Sequence, residues 1–321
     1  MPLLYSDWLP SPWCSVHTRA KVNLFLHITG RLPSGYHRLQ SFSVFPMIGD
    51  ILQMQMLDEP RPEGPVSYGG PFAPALIESL DATQMQDRLW PIFRDLWERT
   101  QEAPVPSMWI HLNKRLPIAS GLGGGSGDFA AIGRLVQSLL PDDPTQRQRG
   151  EAIIASAVAS WGADVSVCWH QRAAMMEGIG EELAFIQDMP GFDMLLVTLP
   201  IACHTPALYA ALTFFHEAED VLPLRWHSLD ALVAWLRDRG NDFEPLVTSL
   251  HPEIGRLLED IRRSEGCLLG RMSGSGSTCF AIFHDRDALL EATRRMREAW
   301  PAAWIYVAPV PGVIDGRECL P

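Results

Sequence analysis

Residues 115–140 read RLPIASGLGGGSGDFAAIGRLVQSLL, with four glycines among the five residues from Gly121 to Gly125. The stretch before it, SMWIHLNK over 107–114, alternates apolar and polar side chains as a half-buried strand does. An uninterrupted helical pattern begins at Asp128. A glycine run between a strand and a helix lets the backbone approach an anion closely, and the unpaired N–H groups and dipole of the first helical turn favour negative charge. A phosphate group is the guest this predicts. A flexible linker is the alternative, but linkers seldom run straight into a strongly apolar helix. The loop lacks the Gly-Lys-Ser/Thr ending of a P-loop, and no lysine follows it anywhere in the chain, which excludes conventional P-loop folds. The antiparallel-looking strands before it argue equally against a dinucleotide fingerprint.

Around this loop the chain mixes strands and helices. KVNLFLHITG, from Lys21, has the period of a strand, with Val22, Leu24, Leu26 and Ile28 on one face. A turn follows over 31–37, and further strand-like runs over 39–56, broken by Pro46 and Gly49, predict an antiparallel meander. Residues 59–74, rich in Pro and Gly, read as a loop before helices over 75–80 and 86–99. Beyond the glycine loop the pattern predicts helices over 146–160, 228–238, 252–265 and 286–300, with strands over 194–199 and 303–309. Residues 270–283 form a second Gly/Ser-rich loop running into the strand CFAIF. At 321 residues the chain exceeds what one hydrophobic core usually serves, roughly 250 residues, so two closely packed domains are expected.

The formal net charge of −12 argues against nucleic acid or an anionic membrane as a partner. The longest charge-free stretch, 194–215, contains Pro200, Pro206 and His204 and reads as strand, loop and helix start rather than a membrane span. Six scattered cysteines with no Cys-x-x-Cys pair suggest neither a disulfide framework nor a zinc site, and reduced thiols fit a cytoplasmic protein. Residues 1–17 carry no basic segment of a signal peptide and read as a short irregular leader.

Of the 26 basic residues only Lys21 and Lys114 are lysines. Lysines retained in a chain that otherwise uses arginine are candidates for places needing a compact ammonium, although codon bias gives the same count. Lys21 opens an apolar strand, where an unpaired ammonium is costly unless it snorkels to water. Asp164, in Gly-Ala-Asp-Val, is a lone carboxylate among small and apolar residues: a functional acid, or a buried turn residue.

Four segments taken together, RAKVNLFLHITGRLPSGYHRLQS, LPIASGLGGGSGDFAA, GADV, and NDFEPL followed by RMSGSGSTCFAIF, resemble the GHMP kinase superfamily, in the right order from about Thr18 to Phe283. The Gly-Tyr-His-x-Leu-Gln segment resembles the branch acting on a cytidine diphosphate-linked polyol. The resemblance implies an α+β fold, with a ribosomal protein S5 domain 2-like N-terminal domain over 1–185 and a ferredoxin-like C-terminal domain over 186–321. It implies ATP and Mg²⁺ as cofactors, and phosphorylation of the C2 hydroxyl of a cytidine diphosphate-linked methylerythritol in the non-mevalonate isoprenoid route. It places Lys21 and Asp164 as the catalytic pair. Pro117, Ile118, Ala119, Ser120, Gly121, Leu122, Gly123, Gly124, Gly125, Ser126 and Gly127 match the ATP-phosphate loop. Asn23, Tyr36, His37, Thr205 and Tyr209 match substrate-binding positions, with Tyr36 and His37 as a cytosine-binding pair and Tyr209 stacking on the base's opposite face. No protein-held metal is implied, and the assembly expected is a monomer or homodimer.

Three positions depart from the family pattern. Gly127 stands where the family has a second serine, so a hydroxyl able to touch phosphate or metal is missing; Phe129 replaces alanine, and Ser166 replaces proline. The adenine-side segment has no clean counterpart near residues 81–90. The competing readings are a GHMP kinase for a smaller alcohol such as homoserine or mevalonate, which would not need the Gly-Tyr-His turn or Tyr209, and a catalytically silent ligand sensor. Retention of both Lys21 and Asp164 argues against the sensor.

Overall fold

The computed structural model describes residues 13–59, 65–82 and 88–319. The chain opens with β1 (Trp13–His17), β2 (Val22–Arg31), β3 (His37–Val44), β4 (Ile51–Met56) and β5 (Val66–Gly69). Helices α1 (Ala73–Ala82) and α2 (Leu89–Gln101) lead to β6 (Met108–Asn113), and α3 (Gly124–Ser138), α4 (Pro144–Ser160) and α5 (Ala163–His170) follow. A hairpin of β7 (Ala174–Glu177) and β8 (Glu182–Phe185) ends this half.

These strands form two four-stranded sheets, ordered β1-β4-β6-β5 and β2-β3-β7-β8. The single meander expected over 20–56 is therefore corrected: β2 and β3 pair, but β4 crosses to the other sheet, between β1 and β6. Pro46 and Gly49 lie in the break that permits the crossing. β1 occupies part of the expected leader, whose residues 1–12 lie outside the described residues, and β5 lies inside the expected loop. The helix expected from residue 86 starts at Leu89; residues 86–87 are outside the described residues.

The facing of β2 also differs from simple alternation. A register shift between Asn23 and Phe25 inserts a residue, and a bulge of this kind turns the following side chains to the other face. Val22, Leu24 and Phe25 join one buried cluster, whereas Leu26 and Ile28 join another. The bulge thus brings Asn23 and Leu26 to one cavity.

The second half runs β9 (Phe192–Thr198), α6 (Thr205–Ala211), α7 (Leu229–Arg237), α8 (Glu244–Leu250), α9 (Pro252–Arg262), β10 (Cys267–Met272), β11 (Thr278–Phe283), α10 (Arg286–Ala299) and β12 (Trp304–Val310). A small hairpin of β13 (Gly312–Ile314) and β14 (Arg317–Cys319) follows. The antiparallel sheet order β10-β11-β9-β12, with α9 and α10 as crossovers, is a ferredoxin-like β-α-β-β-α-β arrangement. Capping explains two of its helix starts, those of α7 and α10: Ser228 accepts from the Ala231 N–H at 3.1 Å, and Asp285 from that of Ala288 at 2.8 Å.

The halves share their interior. One buried cluster joins Leu52, Ile110 and Leu135 to Leu195, Phe243 and Leu257; the other joins Phe25 and Phe42 to Met194, Leu196 and Trp226. Among the described residues no helix is long and apolar enough to cross a membrane.

Candidate active site

The glycine segment folds earlier than its pattern predicts. Helix α3 starts at Gly124 rather than Asp128, so the glycines themselves make its first turn, and Gly123, with φ of +65°, is its cap. Glycine is a poor helix former, but here the backbone is pressed against other groups. At Gly121, with φ of +75°, a Cβ would lie 2.5 Å from the Ser273 carbonyl oxygen. No side chain fits.

That contact belongs to a seam between the two glycine-rich loops. The Ser273 hydroxyl donates to the Gly121 carbonyl at 3.2 Å and accepts from the Asn23 N–H at 3.1 Å, while the Thr278 N–H donates to the Ser120 carbonyl at 3.1 Å. Asn241 holds the second loop from behind, donating to the carbonyls of Met272 and Gly274 at 2.8 and 2.7 Å. The expected strand CFAIF is thus β11, and the loop before it is shorter than expected, because residues 270–272 already belong to β10.

Lys21 and Asp164 meet on one side of this seam. The ammonium donates to Asp164 Oδ1 at 2.5 Å, although the residues are 143 positions apart. Lys21 is fixed by its backbone N–H, which donates to the Leu122 carbonyl at 2.8 Å; Asp164 stands in the first turn of α5. The lysine side chain is 7% exposed and the aspartate 48%, so the cation is buried and the carboxylate open.

Both residues line a cleft of about 450 Å³, shared with Asn23, Pro117–Gly121, Gly123–Ser126, Thr205 and Tyr209. Asn23 is oriented by donating to the hydroxyls of Ser41 and Ser43 at 2.7 and 3.1 Å. Thr205 donates to the Ser275 hydroxyl at 2.8 Å. Tyr209 stacks on His37, ring centroids 4.9 Å apart, with its phenol pushed up to about 12 by burial and by Asp164. Burial and the Arg31 charge lower His37, which favours a neutral ring.

Four expected residues lie outside this lining. Leu122 is buried in the core, and His37 reaches the site only through its stack on Tyr209. Tyr36 stands on the turn before β3 with 64% of its surface exposed and is not brought to the cleft. Gly127 faces inward: a Cβ there would touch the Thr18 side chain at 3.5 Å. A serine at Gly127 would therefore start its side chain against Thr18, which is not part of the cleft lining. Phe129 is turned aside under the Arg88 guanidinium, 5.4 Å from its ring centre.

The same wall holds a second charged group, of which the sequence marked Lys114 alone. Lys114, just after β6, donates to Asp50 Oδ2 at 2.7 Å and Asp128 Oδ2 at 2.6 Å, and both Lys114 and Asp128 line the cleft. The scarcity of lysine was the available signal for Lys114. Nothing local marked Asp50, which is 64 positions away.

Residues 89–172 match the family described as GHMP kinases N terminal domain, and residues 218–302 that described as GHMP kinases C terminal. A 4-diphosphocytidyl-2-C-methyl-D-erythritol kinase from Parvibaculum lavamentivorans is 37% identical over 298 residues, covering 92% of this chain and 97% of that protein. The chain belongs to the 4-diphosphocytidyl-2-C-methyl-D-erythritol kinase family of GHMP kinases. A second family member, from Gluconacetobacter diazotrophicus, is 36% identical over 92% of this chain and 94% of its own length. A crystal structure of a 4-(cytidine 5'-diphospho)-2C-methyl-D-erythritol kinase superposes with a TM-score of 0.66 at 24% identity, covering 92% of this chain and 99% of that one. The α+β GHMP kinase fold and the kinase class expected from the sequence both stand.

Proposed function

We propose that this chain transfers the terminal phosphoryl group of ATP to the C2 hydroxyl of 4-diphosphocytidyl-2-C-methyl-D-erythritol, in the cytoplasm, as a step towards isoprenoid precursors. The observation that carries the reading is the Lys21–Asp164 pair at 2.5 Å inside a cleft walled by the glycine loop and by Tyr209. The names of the relatives supply the acceptor.

Phosphoryl transfer asks a protein chiefly to position the reactants and neutralise charge. The half-exposed Asp164 carboxylate accepts the proton of the attacking hydroxyl. Lys21 holds that carboxylate in place and stabilises negative charge on the oxygen it activates. The N–H groups at the start of α3 receive the phosphates. Tyr209 and His37 provide a flat aromatic surface for cytosine; Asn23 and Thr205 offer polar atoms along the polyol.

Among the described residues the one His/Cys/Asp/Glu cluster able to hold a metal is His27, His216 and Asp242, none of which lines the cleft. Magnesium carried by the triphosphate would neutralise phosphate charge in this cleft while keeping several waters.

The test is ADP formation by the purified chain with ATP and Mg²⁺, offered the cytidine diphosphate-linked polyol, homoserine and mevalonate in parallel. Turnover is expected with the first alone. ADP released with a simple alcohol, and none with the cytidine compound, would replace this reading.

A further inference from the structure

Lys114, Asp50 and Asp128 place one cation and two carboxyl groups in the interior. Asp50 has no exposed side-chain surface, and Lys114 is 3% exposed. Asp50 accepts from the Lys114 ammonium on one oxygen and from the N–H groups of Arg115 and Leu116, at 2.6 and 2.9 Å, on the other. Three donors suit an ionised carboxylate. Asp128 accepts only from Lys114, and its Oδ1 is buried with no hydrogen-bond partner among the described residues. With Lys114 and Asp50 both charged, a charged Asp128 would leave one net negative charge in the interior, which is costly; a protonated Asp128 leaves none.

This cluster lies directly beneath the glycine loop. A Cβ at Gly124 would sit 3.1 Å from Lys114 Nζ and 3.6 Å from Asp50 Oδ2. We propose that Lys114, Asp50 and Asp128 are positioning residues for the nucleotide end of the cleft, and that Asp128 must hold a proton for the phosphates to seat on the loop. The inference rests on the nucleotide reading given above.

Burial raises Asp128 to about 8, with Asp50 adding to it and Lys114 opposing it. Its other titratable neighbour is Cys168 of α5, whose thiol burial pushes up to about 12, with Asp164 and Asp128 adding to the rise and Lys21 and Arg134 opposing it, so that the thiol stays neutral. A proton lost from Asp128 leaves an uncompensated negative charge under the place the phosphates occupy. Phosphate binding and Asp128 ionisation therefore oppose each other, and by linkage nucleotide binding takes up a proton at alkaline pH.

The test is calorimetric titration of the whole chain with ADP between pH 7.5 and 9.0, in two buffers of different ionisation enthalpy. Phosphate ionises near about pH 6, so the ligand's own charge changes little over this range. Wild type is expected to lose affinity roughly five- to tenfold across it, with net proton uptake on binding. Asp128→Asn is expected to bind with a flat profile and no uptake. Cys168→Ala should keep the alkaline weakening, which separates Asp128 from the neighbouring buried thiol, and it serves if Asp128→Asn does not fold. A flat wild-type profile, persistence of the weakening in Asp128→Asn, or its loss in Cys168→Ala would overturn the proposal. No ADP binding at any pH would instead remove the nucleotide reading on which it rests.

Discussion

Both lysines of the chain end against aspartate within one cleft, but in opposite settings. Lys21 faces a single carboxylate that is half open to the cleft. Lys114 faces two carboxylates, both almost wholly buried. An exposed carboxylate can exchange a proton with a substrate and be removed at small cost to the fold; a buried cluster resists removal because it leaves a charge unmatched. The same pair of residue types thus serves chemistry in one place and construction in the other.

The largest effect should come from the open pair. Asp164→Asn should reduce turnover by about 10²–10⁴-fold, the usual contribution of a general base, with the melting temperature little changed. Near-normal turnover in a coupled ADP assay would erase the contrast. Lys21→Arg should not restore what Lys21→Ala loses, because a forked guanidinium does not replace a compact ammonium.

Lys114→Met should do the reverse, lowering stability by about 3–5 kcal/mol in denaturant unfolding by stranding two buried carboxyl groups. A variant as stable as wild type would show that the cluster is not structural.

Asp128 also gives the cluster a pH signature. The folded state keeps the Asp128 proton up to about pH 8, whereas the unfolded chain releases it near 3.8. The native state thus binds more protons in between, so this group makes stability fall as pH rises from about 4 to about 8. Unfolding curves of wild type and Asp128→Asn should diverge over that window, with wild type losing ground. Parallel curves would place the proton elsewhere.

Tyr209→Ala should weaken a cytidine diphosphate ligand by roughly ten- to a hundredfold and leave ADP affinity alone, since base stacking is worth about 1–3 kcal/mol. Unchanged affinity in a destabilised protein would make the ring a packing residue only. The smallest effect is expected at Gly127→Ser. Its side chain would meet Thr18 rather than the cleft, so the KM for ATP should stay within about twofold.

Local signals carried much of this site. The glycine run, Gly-Ala-Asp-Val and the strand after Ala20 could be read where they stand, because strand period and loop chemistry are properties of neighbouring residues. Asp50 could not, since its role depends on β4 leaving the sheet of its sequence neighbours to lie beside β6. Gly127 shows the limit of motif matching: its position in a phosphate loop suggested a lost contact, but the direction of its side chain depends on how α3 packs. The start of α3 was missed for a related reason, as helix propensity sees poor helix formers where tertiary contacts require them. The division of Val22 and Leu24 from Leu26 and Ile28 needed a bulge that leaves no mark in apolar spacing.

The hydrogen bonds from Ser273 and Thr278 to Gly121 and Ser120 tie a loop of the second half to the backbone of the first. Such stitching limits modular evolution. A C-terminal half borrowed from a relative with another acceptor would bring its own version of the 273–278 turn, and the glycine loop would be displaced with it. Acceptor preference in this architecture should accordingly drift through substitutions in α6 beyond Thr205, whose hydroxyl is bonded to Ser275 of that turn, rather than through exchange of whole segments.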